Sequence, residues 1–295
     1  WIISLLNTLV RNVTESLENY DPTPAARMIQ EFVCENLSNW YVRLNRKRFW
    51  GGGLTRDKLA AYQTLYTCLE TVSMLSAPFA PFISDRIFRD LNAVSGRHTD
   101  ESVHLSTFPV CDSSLIDGEL EQMMSMAQQV SSMVLALRRK VNIKVRQPLT
   151  KILIPVLDAD TARRIEAVKG LIMSEVNVKE IELIENTTGL ITKRIKPNFK
   201  TLGPKYGKQM KQIAALVAGF SQDQIAAIEA SAETLLDMDG EKITVTPADF
   251  EITSEDMPGW LVATEGKLTV ALDITITDDL RAEGIARELI NRIQN

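Results

Sequence analysis

The chain has 295 residues, of which 45% are hydrophobic and 24% are charged, a composition typical of a globular protein and not of a disordered or fibrous one. This length allows a substantial core and predicts two domains. No apolar run reaches the roughly 18–20 residues that cross a bilayer, and the start lacks the sections of a signal peptide. The chain opens with Trp1 inside a helical pattern, which indicates a fragment of a longer protein.

The three cysteines are odd in number and far apart, at Cys34, Cys68 and Cys111. Each falls where an apolar residue would serve, so we expect buried, reduced thiols in a cytoplasmic protein. Zinc needs three or four converging ligands. With no Cys-x-x-Cys and no histidine pair at helical spacing, the sequence predicts no metal site.

The net charge is −5, but the charges are unevenly spread along the chain. Residues 122–157 and residues 186–222 contain no Asp or Glu. The cations of the first stretch are Arg138, Arg139, Lys140, Lys144, Arg146 and Lys151; those of the second are Lys193, Arg194, Lys196, Lys200, Lys205, Lys208 and Lys211. Because the local field decides whether a polyanion is attracted, both stretches are candidates for nucleic-acid binding.

Apolar residues recur at three- and four-residue spacing through the first part of the chain, which predicts helices. The first helix runs from Trp1 and is broken by prolines at 22 and 24; the second carries its apolar face over residues 29–44 and ends at the glycines 51–53. A third helix covers residues 59–75, and prolines at 78 and 81 separate it from a short helix through residue 91. This succession predicts an antiparallel helical bundle.

A polar connection over residues 95–114 carries both histidines, and a further helix is predicted over residues 118–140. We interpret the methionines of that helix as core filling, not as a cofactor site. We interpret His104 as a hydrogen-bonded structural residue.

The period changes after Pro148 and predicts a mixed α+β domain. Strands are predicted at 152–157, 178–184, 242–246, 260–264 and 267–273. Helices are predicted at about 161–173, 207–220 and 223–236, and a last one from Asp278.

Motifs for independent catalysis are missing. There is no Gly-x-Ser-x-Gly, and both histidines lie in one connection. The turn from Gly203 to Lys208 resembles a phosphate loop, but three residues separate its glycines and Gln209 follows the lysine. A phosphate loop needs four residues there and a Ser or Thr, although such a turn can still bind a backbone phosphate.

A cationic ridge with an aromatic end is predicted in the second helix. At 100° per residue its members fall on one solvent-facing stripe: Asn39, Arg43, Arg46, Lys47 and Trp50. Cations can neutralise phosphates while a ring stacks on an unpaired base. The alternative is that these cations only complement the helix dipole. Arg48 lies nearer the apolar stripe and is expected to pair with a carboxylate.

The second acid-free stretch is the stronger candidate for nucleic-acid binding, because aromatic side chains alternate with cations in a segment that its prolines and glycines make loop-like. Its candidate residues are Lys193, Arg194, Lys196, Phe199, Lys200, Lys205, Tyr206 and Lys208. A merely solvated face would mix charge signs. A basic surface that docks another part of the protein remains the competing interpretation.

Several segments together resemble isoleucyl-tRNA synthetase, in the branch whose bacterial members are similar to the eukaryotic cytosolic enzyme. The similar segments are NWYVR (39–43), RKRFWG (46–51), PFAPFI (78–83), SVHL (102–105), VRQPL (145–149), KPNFK (196–200), LGPKYGK (202–208) and EGIAREL (283–289). They occur in the order of that family. In series they are specific, although each alone is weak.

The resemblance implies a helical anticodon-binding bundle over residues 1–148 and an α+β domain that helps to recognise tRNA over residues 149–295. It implies binding of isoleucine tRNA and contact with a missing catalytic half, with no membrane or DNA partner. The family's His-Ile-Gly-His and Lys-Met-Ser-Lys-Ser motifs do not occur here. We therefore expect no catalysis, cofactor or metal in this chain, and ATP and magnesium only in the parent enzyme.

Two alternatives stay open from the sequence. The chain could be a structural module that docks the catalytic half or a second subunit. It could also be the same region of a sibling synthetase, for valine or leucine.

Overall fold

The computed structural model describes residues 1–156, 158–184, 191–198, 201–202, 206–207, 210–221, 224–225, 228, 234–238, 241–246, 249–256, 258–266 and 268–294. Residue contacts divide the chain into two units, Trp1–Met124 and Ser125–Asn295. The first unit is helical, and the second combines helices with small sheets. A mainly helical protein with an α+β part is therefore confirmed, and the domain boundary at residue 148 stays a prediction.

The helices of the first unit follow the predicted order. They are α1 (Ile2–Glu18), α2 (Pro22–Glu31), a π-helical segment (Phe32–Val42), α3 (Arg46–Trp50), α4 (Arg56–Ser76) and α5 (Pro81–Ser95). Two short 3₁₀ turns follow, Val103–Leu105 and Ser113–Leu115. One core cluster collects buried side chains from α1, α2, the π-helical segment, α3 and α4, among them Leu6, Val13, Phe32, Phe49 and Cys68.

The second predicted helix differs from the structure in its interior. A wide-turned π-helical segment replaces the expected α-helix over Phe32–Val42, and a turn at Asn45 separates it from α3. The glycines do end α3, but Gly51 has φ −59°, and a Cβ there would lie 2.9 Å from the Lys47 carbonyl oxygen. The close approach of the Lys47 carbonyl explains why residue 51 is a glycine. The left-handed backbone conformation that favours glycine occurs two residues later, at Gly53, with φ 69°.

Carboxylates of α4 and α5 hold the connection that follows α5. Glu70 accepts hydrogen bonds from Tyr66 and His98, whose Nε2 lies 2.9 Å from the carboxylate. Asp85 accepts from the Ser102 hydroxyl at 2.6 Å and from the Val103 amide at 3.1 Å. The Ser102 hydrogen bond is the first cause that holds the pKa of Asp85 below its usual value.

The helix α6 (Gly118–Lys140) matches its predicted range and begins in the first unit. There the Glu121 carboxylate accepts hydrogen bonds from the hydroxyls of Ser4 and Thr8. Ser4 also accepts from the Asp117 amide at 2.8 Å. These bonds attach the start of α6 to α1.

The main sheet of the second unit has the order β2-β1-β8-β7. Its strands are β1 (Leu149–Pro155), β2 (Val178–Ile184), β7 (Trp260–Glu265) and β8 (Leu268–Asp273), with α7 (Ala159–Val176) joining β1 to its parallel neighbour β2. The β8 strand pairs antiparallel with both β1 and β7. The predicted strands and the helix between them are confirmed here.

Two further strand pairs match the predictions only at β5 (Glu241–Val245), which was predicted at 242–246. Strand β3 (Ile191–Pro197) pairs with β6 (Phe250–Asp256), and β4 (Thr234–Met238) pairs with β5 (Glu241–Val245). The prediction of a loop is therefore wrong over β3, and the prediction of a helix to residue 236 is wrong at its end. In both places pairing with a distant or later strand overrides the local preference. The helix α8 (Met210–Ala218) lies inside the predicted range.

The last helix, α9 (Asp278–Gln294), begins where it was predicted. Gln147 donates to the Leu280 carbonyl at 2.7 Å, and Gly284 leaves room for the Gln147 side chain. Ion pairs join α9 to the connection between α6 and β1 and to β2: Glu288 pairs with Lys144 and Arg146, and Glu283 pairs with Lys179.

Candidate nucleic-acid interface

The cationic ridge lies around the short helix α3, and its predicted members are exposed. Asn39, Arg43, Arg46 and Lys47 are exposed, and Trp50 has 69% of its surface open to solvent. The Arg46 guanidinium carbon lies 5.0 Å from the centre of the Trp50 ring. This cation–π contact keeps a charge and a flat ring side by side on the same surface.

Buried aromatic contacts fix α3 in place. Phe49 is 7% exposed and makes edge-on contacts with Tyr41 at 6.2 Å and Tyr62 at 5.3 Å between ring centres. Tyr62 also donates its hydroxyl to the Phe49 carbonyl at 3.0 Å, and Tyr41 donates to the Ala61 carbonyl of α4 at 3.1 Å. Desolvation by burial is the main reason that the pKa of Tyr41 is raised. The ridge is therefore presented on a packed support.

Arg48 pairs with a carboxylate, as predicted. Its Nε and Nη2 donate to the two oxygens of Asp57 at 2.8 and 2.7 Å, and its Nη1 donates to Asn45 Oδ1 at 2.8 Å. A bidentate pair of this kind has fixed geometry. Arg48 thus joins α3 to the start of α4 and is occupied within the protein.

Two residues that the sequence did not single out extend the ridge. Lys58 of α4 donates to the Gly51 carbonyl at 2.7 Å, and its ammonium nitrogen lies 6.0 Å from the Tyr62 ring. Tyr62 is 43% exposed. The glycine turn at 51–53 brings the first turns of α4 back beside α3. These three glycines were the sequence signal that could have placed Lys58 and Tyr62 next to the ridge.

Arg43 sits differently from the rest of the ridge. Its Nε donates to the Asn39 carbonyl oxygen at 2.7 Å, so part of the guanidinium folds back on its own helix. Side-chain exposure alone does not reveal this bond.

The second basic stretch is described only in part. Lys193 and Arg194 belong to β3 by backbone, and their side chains lie outside the described part of the chain. Phe199, Lys200, Lys205 and Lys208 lie outside it altogether. Lys196 is exposed and stands opposite Glu251 in the strand register.

Tyr206 is half-buried and packs against the core of the second unit, among residues such as Ile213 and Phe250. Its role in stacking on a base stays a prediction, as do the roles of the neighbouring lysines.

The first acid-free stretch is not free of carboxylates in space. Lys144 and Arg146 pair with Glu288, and Lys151 pairs with Glu182 at 2.9 Å. Arg138 is 1% exposed. Four of the six cations in residues 122–157 are therefore paired or buried, because acids distant in sequence fold against Lys144, Arg146 and Lys151.

The described residues contain neither a metal-binding cluster nor a membrane-spanning helix. No group of three or more His, Cys, Asp and Glu side chains there is arranged to hold a metal ion. No described helix is both long enough and apolar enough to cross a membrane.

The sequence model of the family described as "Anticodon-binding domain of tRNA ligase" matches residues 1–154, so the chain belongs to this family. Within that class, its curated relatives have a common name. The chain is 61% identical over its full length to "Isoleucine--tRNA ligase" of Bacteroides fragilis, 57% identical to that of Porphyromonas gingivalis and 38% identical to that of Clostridium tetani. It spans 26% of the length of the first two and 28% of the third, about a quarter of each. The resemblance to isoleucyl-tRNA synthetase is confirmed.

Proposed function

We propose that this chain binds the anticodon arm of a tRNA, and that the exposed Arg46–Trp50 pair on its packed support is the observation that carries the proposal. Membership in an anticodon-binding family supports it. Arg46 and Lys47 supply positive charge, and Trp50 supplies a ring face for an unpaired base. The buried Phe49 holds these groups in one place before RNA arrives.

Binding on this surface is an electrostatic event with a stacking component. Each phosphate that a cation neutralises releases counterions, so affinity falls as salt rises. Stacking of a base on an aromatic ring is worth roughly 1–3 kcal/mol and tolerates any base. The ridge therefore supplies affinity, and recognition of particular bases needs further polar contacts.

A second tRNA contact surface is proposed over residues 193–208. Lys196 is exposed on β3, and the other members of the set are Lys193, Arg194, Phe199, Lys200, Lys205, Tyr206 and Lys208. The support for this surface is the absence of acids from residues 186–222. Lys196→Ala together with Lys200→Ala is expected to weaken tRNA binding and to flatten its salt dependence.

The parent protein is proposed to be an isoleucine–tRNA ligase that uses ATP and magnesium in the cytoplasm. In that protein the helices of the first unit would form the antiparallel anticodon-binding bundle, and the partners would be isoleucine tRNA and the catalytic half. The names of the relatives favour isoleucine over valine or leucine.

The alternative function, docking of another part of the protein, is favoured by one observation on α9. Its outer face exposes apolar side chains at Ile285, Leu289, Ile290 and Ile293. The relatives are about four times as long as this chain, so the remainder of the parent protein is the occupant that this alternative requires.

Filter binding of the full chain to isoleucine tRNA and to the same tRNA with an exchanged anticodon tests the proposal. We expect retention of isoleucine tRNA that weakens steeply with salt, and weaker retention of the exchanged form. If about six phosphates are contacted, affinity should fall roughly a thousandfold between 50 and 200 mM salt. Negligible retention of both RNAs would favour docking and refute the proposal.

A further inference from the structure

The C-terminal end of the π-helical segment, at Arg43, has an unusual pattern of hydrogen bonds. In an α-helix the Arg43 amide would donate to the Asn39 carbonyl four residues earlier. Here that amide donates instead to the carbonyls of Ser38 and Trp40, the two residues that flank Asn39 in the sequence. The wide turns of the segment therefore move the backbone donor away from the Asn39 oxygen.

The Arg43 side chain donates to the carbonyl that its own amide bypasses. Its Nε lies 2.7 Å from the Asn39 oxygen, a short distance for a hydrogen bond from a charged donor. At the next turn the Tyr41 carbonyl accepts hydrogen bonds both from the Asn45 amide, at 3.1 Å, and from the Asn45 Nδ2, at 2.7 Å. Side chains thus add hydrogen bonds to the backbone where π-helical turns give way to the turn before α3.

This junction fixes the direction in which the ridge points. Each wide turn that reverted to an α-helical turn would rotate the residues after it by about one position, roughly 100° around the helix. Asn45 also accepts from Arg48, which pairs with Asp57 of α4. The bond of Arg43 closes the end of the π-helical segment, and the bonds of Asn45 connect that segment to the support of α3.

We propose that Arg43 is a positioning residue, which holds the π-helical segment in its wide-turned form and thereby aims Arg46, Lys47 and Trp50 at the tRNA. The inference rests on the proposed function of the ridge. It replaces the expectation that Arg43 contacts a phosphate directly. What matters at position 43 is a donor at the Nε position, and the charge is secondary.

Two substitutions separate the donor from the charge. The Nε of arginine and the Nε2 of glutamine are both bonded to Cδ, so Arg43→Gln keeps an N–H donor at that place and removes the charge. Arg43→Lys keeps the charge and places a methylene there. A positioning role predicts that glutamine preserves function and lysine does not. A phosphate contact predicts the reverse.

The test is the affinity of the full chain for isoleucine tRNA over a range of salt concentrations. Arg43→Gln is expected to bind as wild type does, within about threefold, with an unchanged salt slope. Arg43→Lys is expected to bind about tenfold more weakly, the loss of one hydrogen bond from a charged donor. Arg46→Gln is the matched control. Loss of its phosphate contact should make the dependence of affinity on salt shallower by the amount that one phosphate contact contributes.

Hydrogen exchange on the free protein gives a second readout that needs no RNA. Amides over residues 39–50 should exchange at wild-type rates in Arg43→Gln and faster in Arg43→Lys. The proposal is overturned if glutamine weakens binding as much as lysine does, if both variants bind as wild type, or if all three proteins exchange alike. Failure of wild-type protein to bind tRNA would refute the proposed function, and the exchange comparison would still decide the role of Arg43.

Discussion

Replacement of the buried Arg138 by methionine should destabilise the second unit. The guanidinium donates to the carbonyls of Lys144 at 3.2 Å, Gln147 at 2.9 Å and Asn177 at 2.9 Å. Burial lowers the pKa of Arg138 from 12.5 to about 10, which corresponds to about 3 kcal/mol against the buried cation. Hydrogen bonds from a charged donor contribute about 1.5–3 kcal/mol each, so the three outweigh that cost.

We therefore expect Arg138→Met to lower the free energy of unfolding by about 2 to 6 kcal/mol, because methionine fills similar space and leaves three carbonyls without this donor. Denaturant unfolding of the full chain, followed by circular dichroism, measures the change. Arg139→Met is the matched control, since Arg139 is the exposed neighbour on α6 and should change stability by less than about 0.5 kcal/mol. A variant as stable as wild type, or more stable, would show that desolvation of the cation outweighs its hydrogen bonds.

Three further outcomes are expected. Burial raises the pKa of Cys68 to about 12, so a thiol reagent at mildly alkaline pH should modify the exposed Cys34 at once and Cys68 only after denaturation; rapid modification of both would contradict the packing of α4. Phe49→Ala should lower the free energy of unfolding by about 3–5 kcal/mol and weaken tRNA binding, and Phe49→Leu should have a smaller effect on both. An unchanged affinity for tRNA would show that the ridge does not depend on the packing of Phe49. Charge interaction with Lys144 lowers the pKa of Glu288 from 4.5, so the ion pair stabilises the fold above pH 4.5 and this stabilisation is lost as the pH falls through the lower pKa of the folded state. The difference in thermal midpoint between wild type and Glu288→Gln should therefore shrink in that pH range. A difference that does not change with pH would refute the pairing.

Amphipathic period predicted most of the helices, because a buried stripe leaves a direct trace in the order of residues. The range of α6 and the βαβ unit from β1 to β2 followed from period and turn residues alone. Strand β3 was missed because its cations hid the strand pattern, and its paired residues in β6 lie 53 to 65 residues further along the chain. Pairing over such a distance leaves no local signal.

The exposed charged residues of the candidate site could be predicted from the sequence. The change from α-helical to π-helical turns beside them could not. Exposure of Arg46, Lys47 and Trp50 followed from their places on the helix. The π-helical segment and the bond from Arg43 to Asn39 did not, since a period of 3.6 residues assumes one kind of turn throughout. Absence of acids in the sequence likewise failed to reveal that Glu288 folds against Lys144.

Photocrosslinking from position 50 tests the central claim most directly. A photoreactive aromatic residue in place of Trp50, in the full chain mixed with isoleucine tRNA, should form crosslinks that map to nucleotides of the anticodon loop. The same residue in place of Tyr20, which is 94% exposed at the end of α1, should give far fewer. Crosslinks from position 50 that fall outside the anticodon arm, or that are no more frequent than those from position 20, would contradict the account.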